Sequence, residues 1–189
     1  MTSEIILIGP FLAGKSTIGA LLAEKLHIPQ ISLDKIRRNY YREIGFNDAL
    51  EQEIRQKGGF LAVALYWSLF NYHAIERVLT EHQNCVFDFG AGPIVFESDE
   101  LSSRIEQTLA PYPHVVRLLP AADEEESIEI LRGRATALSG TTAQGFDWSQ
   151  YFVKHRRNQG LAKYAVYTKG RIPEETCEEI LTLTGVAGL

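Results

Sequence analysis

The sequence predicts a three-layer α/β/α domain built on a doubly wound parallel sheet, and three observations carry that prediction. The first is the order strand, glycine loop, helix at the start: the apolar run Ile5-Ile-Leu-Ile8 leads through Gly9-Pro-Phe-Leu-Ala-Gly14-Lys15-Ser16-Thr17 into a stretch with helical apolar spacing. The second is the alternation, further along, of short apolar runs with longer amphipathic segments, as in βαβ units. The third is length, since 189 residues suit one domain that can bury a core without disulfides or metals. One domain covering 1–189 is therefore expected.

Every fixed position of the pattern G-x-x-x-x-G-K-[ST] is filled, and in the strand-to-helix context that gives the pattern its meaning. Gly9 and Gly14 let the backbone turn so that successive amides point inward, and the helix beginning near Lys15 adds its unpaired N-terminal amides. Lys15 offers a mobile positive charge, and the Ser16 hydroxyl is placed to ligate Mg²⁺. A polyphosphate held by Gly9, Leu12, Ala13, Gly14, Lys15, Ser16 and Thr17 follows; an incidental glycine-rich turn would not bring both flanking elements with it.

The composition narrows the partners. A net charge of -5 speaks against an extended nucleic-acid surface, which needs clustered Lys and Arg. No apolar run approaches the roughly 18 residues of a membrane span, and the N-terminus shows no basic segment ahead of an apolar core. A cytoplasmic protein without a membrane partner, monomer or homodimer, is expected. Cys85 and Cys177 fit no metal or redox spacing and read as structural thiols.

In chain order, Ile18, Leu21, Leu22 and Leu26 mark the first helix, and Pro29 stops it. Gln30 to Leu33 reads as a short strand that delivers Asp34 to the sheet edge where α/β proteins bind ligands; Asp34 also suits the N-cap of the following helix. Helical segments are expected over 34–42, over 47–57 and from Phe60 to about Glu81. The stretch Phe60 to His73 is apolar nearly all round, which predicts burial, although its aromatics also suit the wall of an acceptor pocket. An apolar run then ends in Asp88, placed either to organise Mg²⁺ together with Ser16 or to cap a turn, and Gly90-Ala91-Gly92 follows.

A helix over 98–109, a strand over 115–119 and a helix opened by Asp123-Glu-Glu-Glu126 come next, with the acids complementing the helix dipole. That helix is expected to end near Arg132 and Arg134. The small, polar segment from Ala135 to Gly145 then reads as a mobile lid, around 132–148, that carries positive charge. A helix over about 148–164 with Lys154-His155-Arg156-Arg157, a strand over 164–168 and a helix from Pro173 complete the chain.

On these residues the chain resembles the shikimate kinase family of the nucleoside-monophosphate-kinase-like P-loop kinases. The resemblance rests on Ile6 through Leu26, Ser32-Leu-Asp34, Glu51-Gln-Glu-Ile-Arg55, the Gly90-Ala91-Gly92 turn and Gly170-Arg-Ile-Pro173. It implies an ATP-dependent kinase that phosphorylates an acceptor hydroxyl, with ATP and Mg²⁺. By resemblance Asp34 is the residue that binds the hydroxyl and takes its proton, Arg55 grips an acceptor carboxylate, and Gly90, Ala91, Gly92 and Arg157 border the acceptor. Arg132 or Arg134 is the lid or nucleotide-edge arginine, and Arg171 and Pro173 border the adenine. The family's paired acids are Ser32 and Asp34 here, and the segment between Arg55 and Gly90 is longer and more aromatic. Those departures leave a sugar acid, nucleoside or nucleotide open as acceptor. A nucleotide-dependent switch is the reading without one; a guanine-specific Asn-Lys-x-Asp run is absent.

Overall fold

The computed structural model describes residues 4–95, 97–139, 146–155 and 160–186. Its core is a sheet of β1 (Ile5–Ile8), β2 (Gln30–Ser32), β3 (Val86–Asp88), β4 (Val115–Leu119) and β5 (Tyr164–Tyr167). The strands lie in the order β2-β3-β1-β4-β5, and each neighbouring pair is parallel. Parallel strands require crossovers, and among the described residues these helices supply and flank them: α1 (Lys15–Leu26), α2 (Leu33–Glu43), α3 (Asp48–Glu81), α4 (Asp99–Leu109), α5 (Glu124–Ser139), α6 (Trp148–Lys154) and α7 (Pro173–Thr184). The architecture is the three-layer α/β/α fold that the alternation predicts.

Strand β1 explains why the layers form on both sides. All four of its residues are buried, so neither face of the central strand meets water. Ile6 and Ile8 pack into a cluster with Val63, Phe70 and Ile75 of α3 and Ile105 of α4. Ile5 and Leu7 face the other way, against Ile18 and Leu22 of α1 and Ile180 of α7. Complete burial of one such side chain contributes about 1.5–3 kcal/mol. The same burial encloses Cys85 and Cys177 as free thiols and pushes the Cys85 thiol up to about 12.

Three elements differ from expectation. Residues 48–81 form one long element rather than two helices separated by a loop, but Gly59, with φ 65° and ψ -162°, breaks the helical backbone and kinks it just ahead of Phe60. The apolar stretch after the kink is not buried all round: Val63, Trp67 and Phe70 face the core, whereas Leu61, Leu65 and Leu69 lie on an exposed stripe. The helix opened by the acidic run continues to Ser139, because Ala135, Ala137 and Leu138 are good helix formers and the Thr136 hydroxyl bonds back to the Arg132 carbonyl. The expected lid is thus helical over its first part; 140–145 lie outside the described residues. Finally, α6 ends at Lys154 rather than near Tyr164, which opens β5 instead.

The acidic run behaves as electrostatics predicts. Asp123 caps α5 by accepting from the Glu126 amide, Glu125 pairs with Lys154 at 2.5 Å, and Glu126 pairs with Lys169. Among the described residues no helix is long and apolar enough to cross a membrane.

Candidate active site

The loop between β1 and α1 lies at the carboxyl edge of the sheet centre. Gly9 has φ 137°, and a Cβ there would fall 2.3 Å from the Leu118 carbonyl oxygen, so only glycine lets the loop leave β1 against β4. Gly14 caps α1 in the left-handed region, and Leu12 shares that conformation with φ 64°. The first-turn amides of α1, at Lys15, Ser16 and Thr17, lack partners within the helix and point into the loop. Ala13 is buried beneath them.

Charged side chains brace this cradle. Lys15 is 7% exposed and donates from Nζ to the Pro10 carbonyl at 2.8 Å. Burial lowers its pKa below 10.5, against the opposing pull of the Asp88 and Asp34 carboxylates. Arg134 reaches from α5 and donates to the Leu12 carbonyl at 2.8 Å. Arg132 is held by an ion pair to Asp147, the N-cap of α6.

Ser16 and Asp88 meet. The Ser16 hydroxyl donates to Asp88 Oδ2 at 2.7 Å, and Asp88 is only 3% exposed. Sheet register sets Asp88 directly beside Leu7 on β1 and Ser32 on β2. Among the described residues no group of three or more His, Cys, Asp or Glu side chains could hold a metal ion. A hydroxyl with a buried carboxylate behind it suits Mg²⁺, which takes one or two protein oxygens and completes its octahedron with phosphates and water.

Asp34 opens α2 at the neighbouring strand end, with its side chain half exposed. A Cβ at Gly90 would lie 2.1 Å from Asp34 Oδ2, so this glycine exists to let the carboxylate lie against the backbone. Ala91 and Gly92 continue the same wall. Arg37, one turn along α2, approaches Asp34 at 3.6 Å, reaches Asn71 Oδ1 at 3.5 Å and stacks over Trp67 at 5.0 Å. Asn71 is buried and also accepts from the Tyr41 hydroxyl.

Asp34, Arg37 and Asn71 line a cavity of about 960 Å³, whose lining also takes in Ala91, Gly92, Phe11, Leu12 and Arg132. Arg55 is not part of that lining; its guanidinium bonds Glu51 at 2.7 Å and lies over Phe60 at 5.4 Å. Arg171 is paired with Glu179, and Pro173 begins α7, both away from the cavity. Arg157 lies outside the described residues.

No protein-family model matches the chain, and no curated protein matches it by sequence. Solved structures do match. A shikimate kinase from Acinetobacter baumannii in complex with shikimate aligns over 95% of this chain and 91% of its own, with a TM-score of 0.60 and 20% identity. The fold is that of the shikimate kinases. One from Aquifex aeolicus vf5 aligns over 96% and 95%, with a TM-score of 0.57 and 22% identity. A gluconokinase from Sinorhizobium meliloti 1021 aligns over 97% and 93%, with a TM-score of 0.50 and 15% identity.

On this shikimate kinase fold, sequence reasoning missed two features. Arg37 was hidden in an ordinary basic helix, and only its spacing of one turn from Asp34 signals a shared face. The second is the aromatic wall contributed by Trp148, Tyr151 and Phe152 of α6, whose partner Phe60 is distant in sequence. Of Tyr66, Trp67, Tyr72 and His73, the residues of that stretch that suited an acceptor pocket, Trp67 lines the cavity and the other three do not; Phe60 joins it.

Proposed function

We propose that the protein is a small-molecule kinase that transfers the γ-phosphoryl group of ATP to an acceptor hydroxyl. One observation carries the reading: Lys15 and the Ser16–Asp88 pair stand at the same sheet edge as the Asp34 carboxylate, and Phe11 and Leu12 of the phosphate loop line one cavity with Asp34. A donor cradle and a potential base facing one space suit transfer between two bound substrates.

The loop amides and Lys15 bind the polyphosphate, and Lys15 exchanges its bond to the Pro10 carbonyl for phosphate oxygens. Ser16, steadied by Asp88, would hold Mg²⁺, which when bound neutralises phosphate charge. Asp34 accepts the hydroxyl proton as the acceptor oxygen forms its bond to the γ-phosphorus and the bridging bond to ADP breaks. Arg134 braces the loop backbone, while Arg132, in the cavity lining, is released when Asp147 yields it to phosphate. Arg171 and Pro173 border the adenine, whereas Arg55 is tied to Glu51 outside the cavity lining. The shikimate kinase and gluconokinase names of its structural relatives make shikimate and gluconate the first acceptors to assay.

The test is paired. Asp34→Asn is expected to bind ATP as the parent does while acceptor phosphorylation falls by about 10²-fold or more, the usual size of a lost general base. Lys15→Ala is expected to lose ATP affinity as well. Acceptor phosphorylation at the parental rate in both variants overturns the reading.

A further inference from the structure

The cavity beside Asp34 has a chemistry of its own. Its lining joins the polar side chains Asp34, Arg37, Asn71, Arg132 and Asp147, among others, to an aromatic set of Phe60, Trp67, Phe146, Trp148, Tyr151 and Phe152. The rings do not collapse onto one another by chance contacts alone: Trp148 meets Phe60 edge-on at 4.3 Å and Phe146 at 4.5 Å, so α6 is latched across the cavity onto α3. Ala64 lies one turn from Phe60 and lines the same space with a small side chain.

Such a wall is poorly matched to a polyhydroxylated acid. Each hydroxyl of that acceptor would leave water for a surface that offers few hydrogen bonds, at a cost of about 1–3 kcal/mol per unsatisfied group. Its carboxylate would need a cation, yet both arginines of the lining already have acids beside them, Arg37 with Asp34 and Arg132 with Asp147. Arg171 and Pro173, the residues that the resemblance sets beside the adenine, are not part of this lining.

We infer that the acceptor is an uncharged alcohol carrying a flat aromatic ring, the ring seated against this aromatic wall and the hydroxyl presented to Asp34. The inference rests on the kinase reading for its chemistry, but the ring site stands on the cavity. Nucleosides and aryl alkanols share this chemistry. Edge and face contacts orient the ring, and Arg37, held over Trp67 and against Asp34, fixes the carboxylate that meets the hydroxyl.

The experiment uses the full chain in two measurements. Binding is followed by calorimetry with adenosine, cytidine, phenethyl alcohol and naphthyl ethanol, with shikimate and gluconate beside them, in the presence of a non-hydrolysable ATP analogue. Turnover is followed as acceptor-dependent ADP release. At least one aromatic alcohol is expected to bind and be phosphorylated, and which series responds separates nucleosides from aryl alkanols. Trp148→Ala is expected to raise KM for that acceptor by about 10-fold, the equivalent of one lost aromatic contact, and Trp148→Phe to recover most of it. Should Trp148→Ala fail to fold, Ala64→Leu fills the same space from the opposite wall and is expected to raise KM likewise. Binding of shikimate or gluconate with no binding of any aromatic alcohol overturns the inference and leaves the kinase reading standing. Competition between the aromatic alcohol and ATP overturns it too, by giving the rings to adenine. Binding of an aromatic alcohol beside the ATP analogue, with no phosphorylation, supports the ring site and overturns the kinase reading.

Discussion

Gly90→Ala probes the acceptor side with the smallest possible perturbation. The added Cβ would stand 2.1 Å from Asp34 Oδ2 and 2.5 Å from both Cγ and Oδ1. The clash is with the end of a half-exposed side chain rather than with backbone, so the carboxylate can swing away and the fold survives. Restoring ordinary contact requires a retreat of about 1 Å, and a displacement of that size in a reacting group costs on the order of 10²-fold in rate. That factor corresponds to about 2.7 kcal/mol of barrier. The assay is acceptor-dependent ADP release, with ATP affinity and thermal midpoint measured alongside. The expected pattern is a kcat loss near that factor with donor binding and stability close to the parent. A variant that keeps parental kcat would refute the argument, because the carboxylate would then be working from somewhere other than its place against Gly90.

Three further outcomes are expected. Asp88→Asn weakens the partner of the Ser16 hydroxyl, and the Mg²⁺ concentration for half-maximal ATP turnover is expected to rise by about 10-fold, the worth of one charge-assisted hydrogen bond; a titration of activity against Mg²⁺ reads it. Glu51 is buried, which opposes ionisation, but bonds to Arg38 and Arg55 prevail and hold its carboxyl below the usual value of 4.5. A depressed acid stabilises the fold above its unfolded pKa and loses that contribution as pH falls through the folded one, so the difference in thermal midpoint between parent and Glu51→Gln is expected to be greatest near neutrality and to shrink in acid. Because burial lowers the Lys15 pKa, its charge is lost at a lower pH than an ordinary lysine's; ATP affinity is expected to fall on the alkaline side before pH reaches 10.5, and Lys15→Arg to move that fall upward.

What the sequence made legible was whatever is written locally. The phosphate loop combines a fixed residue pattern with a strand before it and a helix after it, and all of that lies within one turn of the chain. Asp34 and Asp88 were legible for a related reason: each ends a short apolar run, and in a parallel sheet run ends share an edge. That edge also brought Gly90 to Asp34. Helix α5 was cut short because small and polar residues resemble loop, whereas alanines and a back-bonded threonine extend a helix already under way. Arg55 matched a sequence pattern, but its side chain is tied to Glu51, while Arg37 enters the cavity because Asn71 and Trp67, from a different helix, receive it. Pairings across the fold of this kind, including Phe60 with Trp148, have no local signature.

Gly59 gives α3 a fulcrum. The helical arm before it, Asp48 to Gly58, is about 16 Å long at the usual rise per residue, and it carries Glu51 and Arg55 on its length. A rotation of about 5° at that one residue would carry the far end of such an arm through more than 1 Å, while Val63 and Trp67, past the pivot, keep their seats on the core. Any residue with a Cβ would resist the left-handed backbone at this point by about 1–2 kcal/mol. The pose of the arm that carries Glu51 and Arg55 is therefore adjustable from a single backbone position, without moving any side chain that lines the cavity.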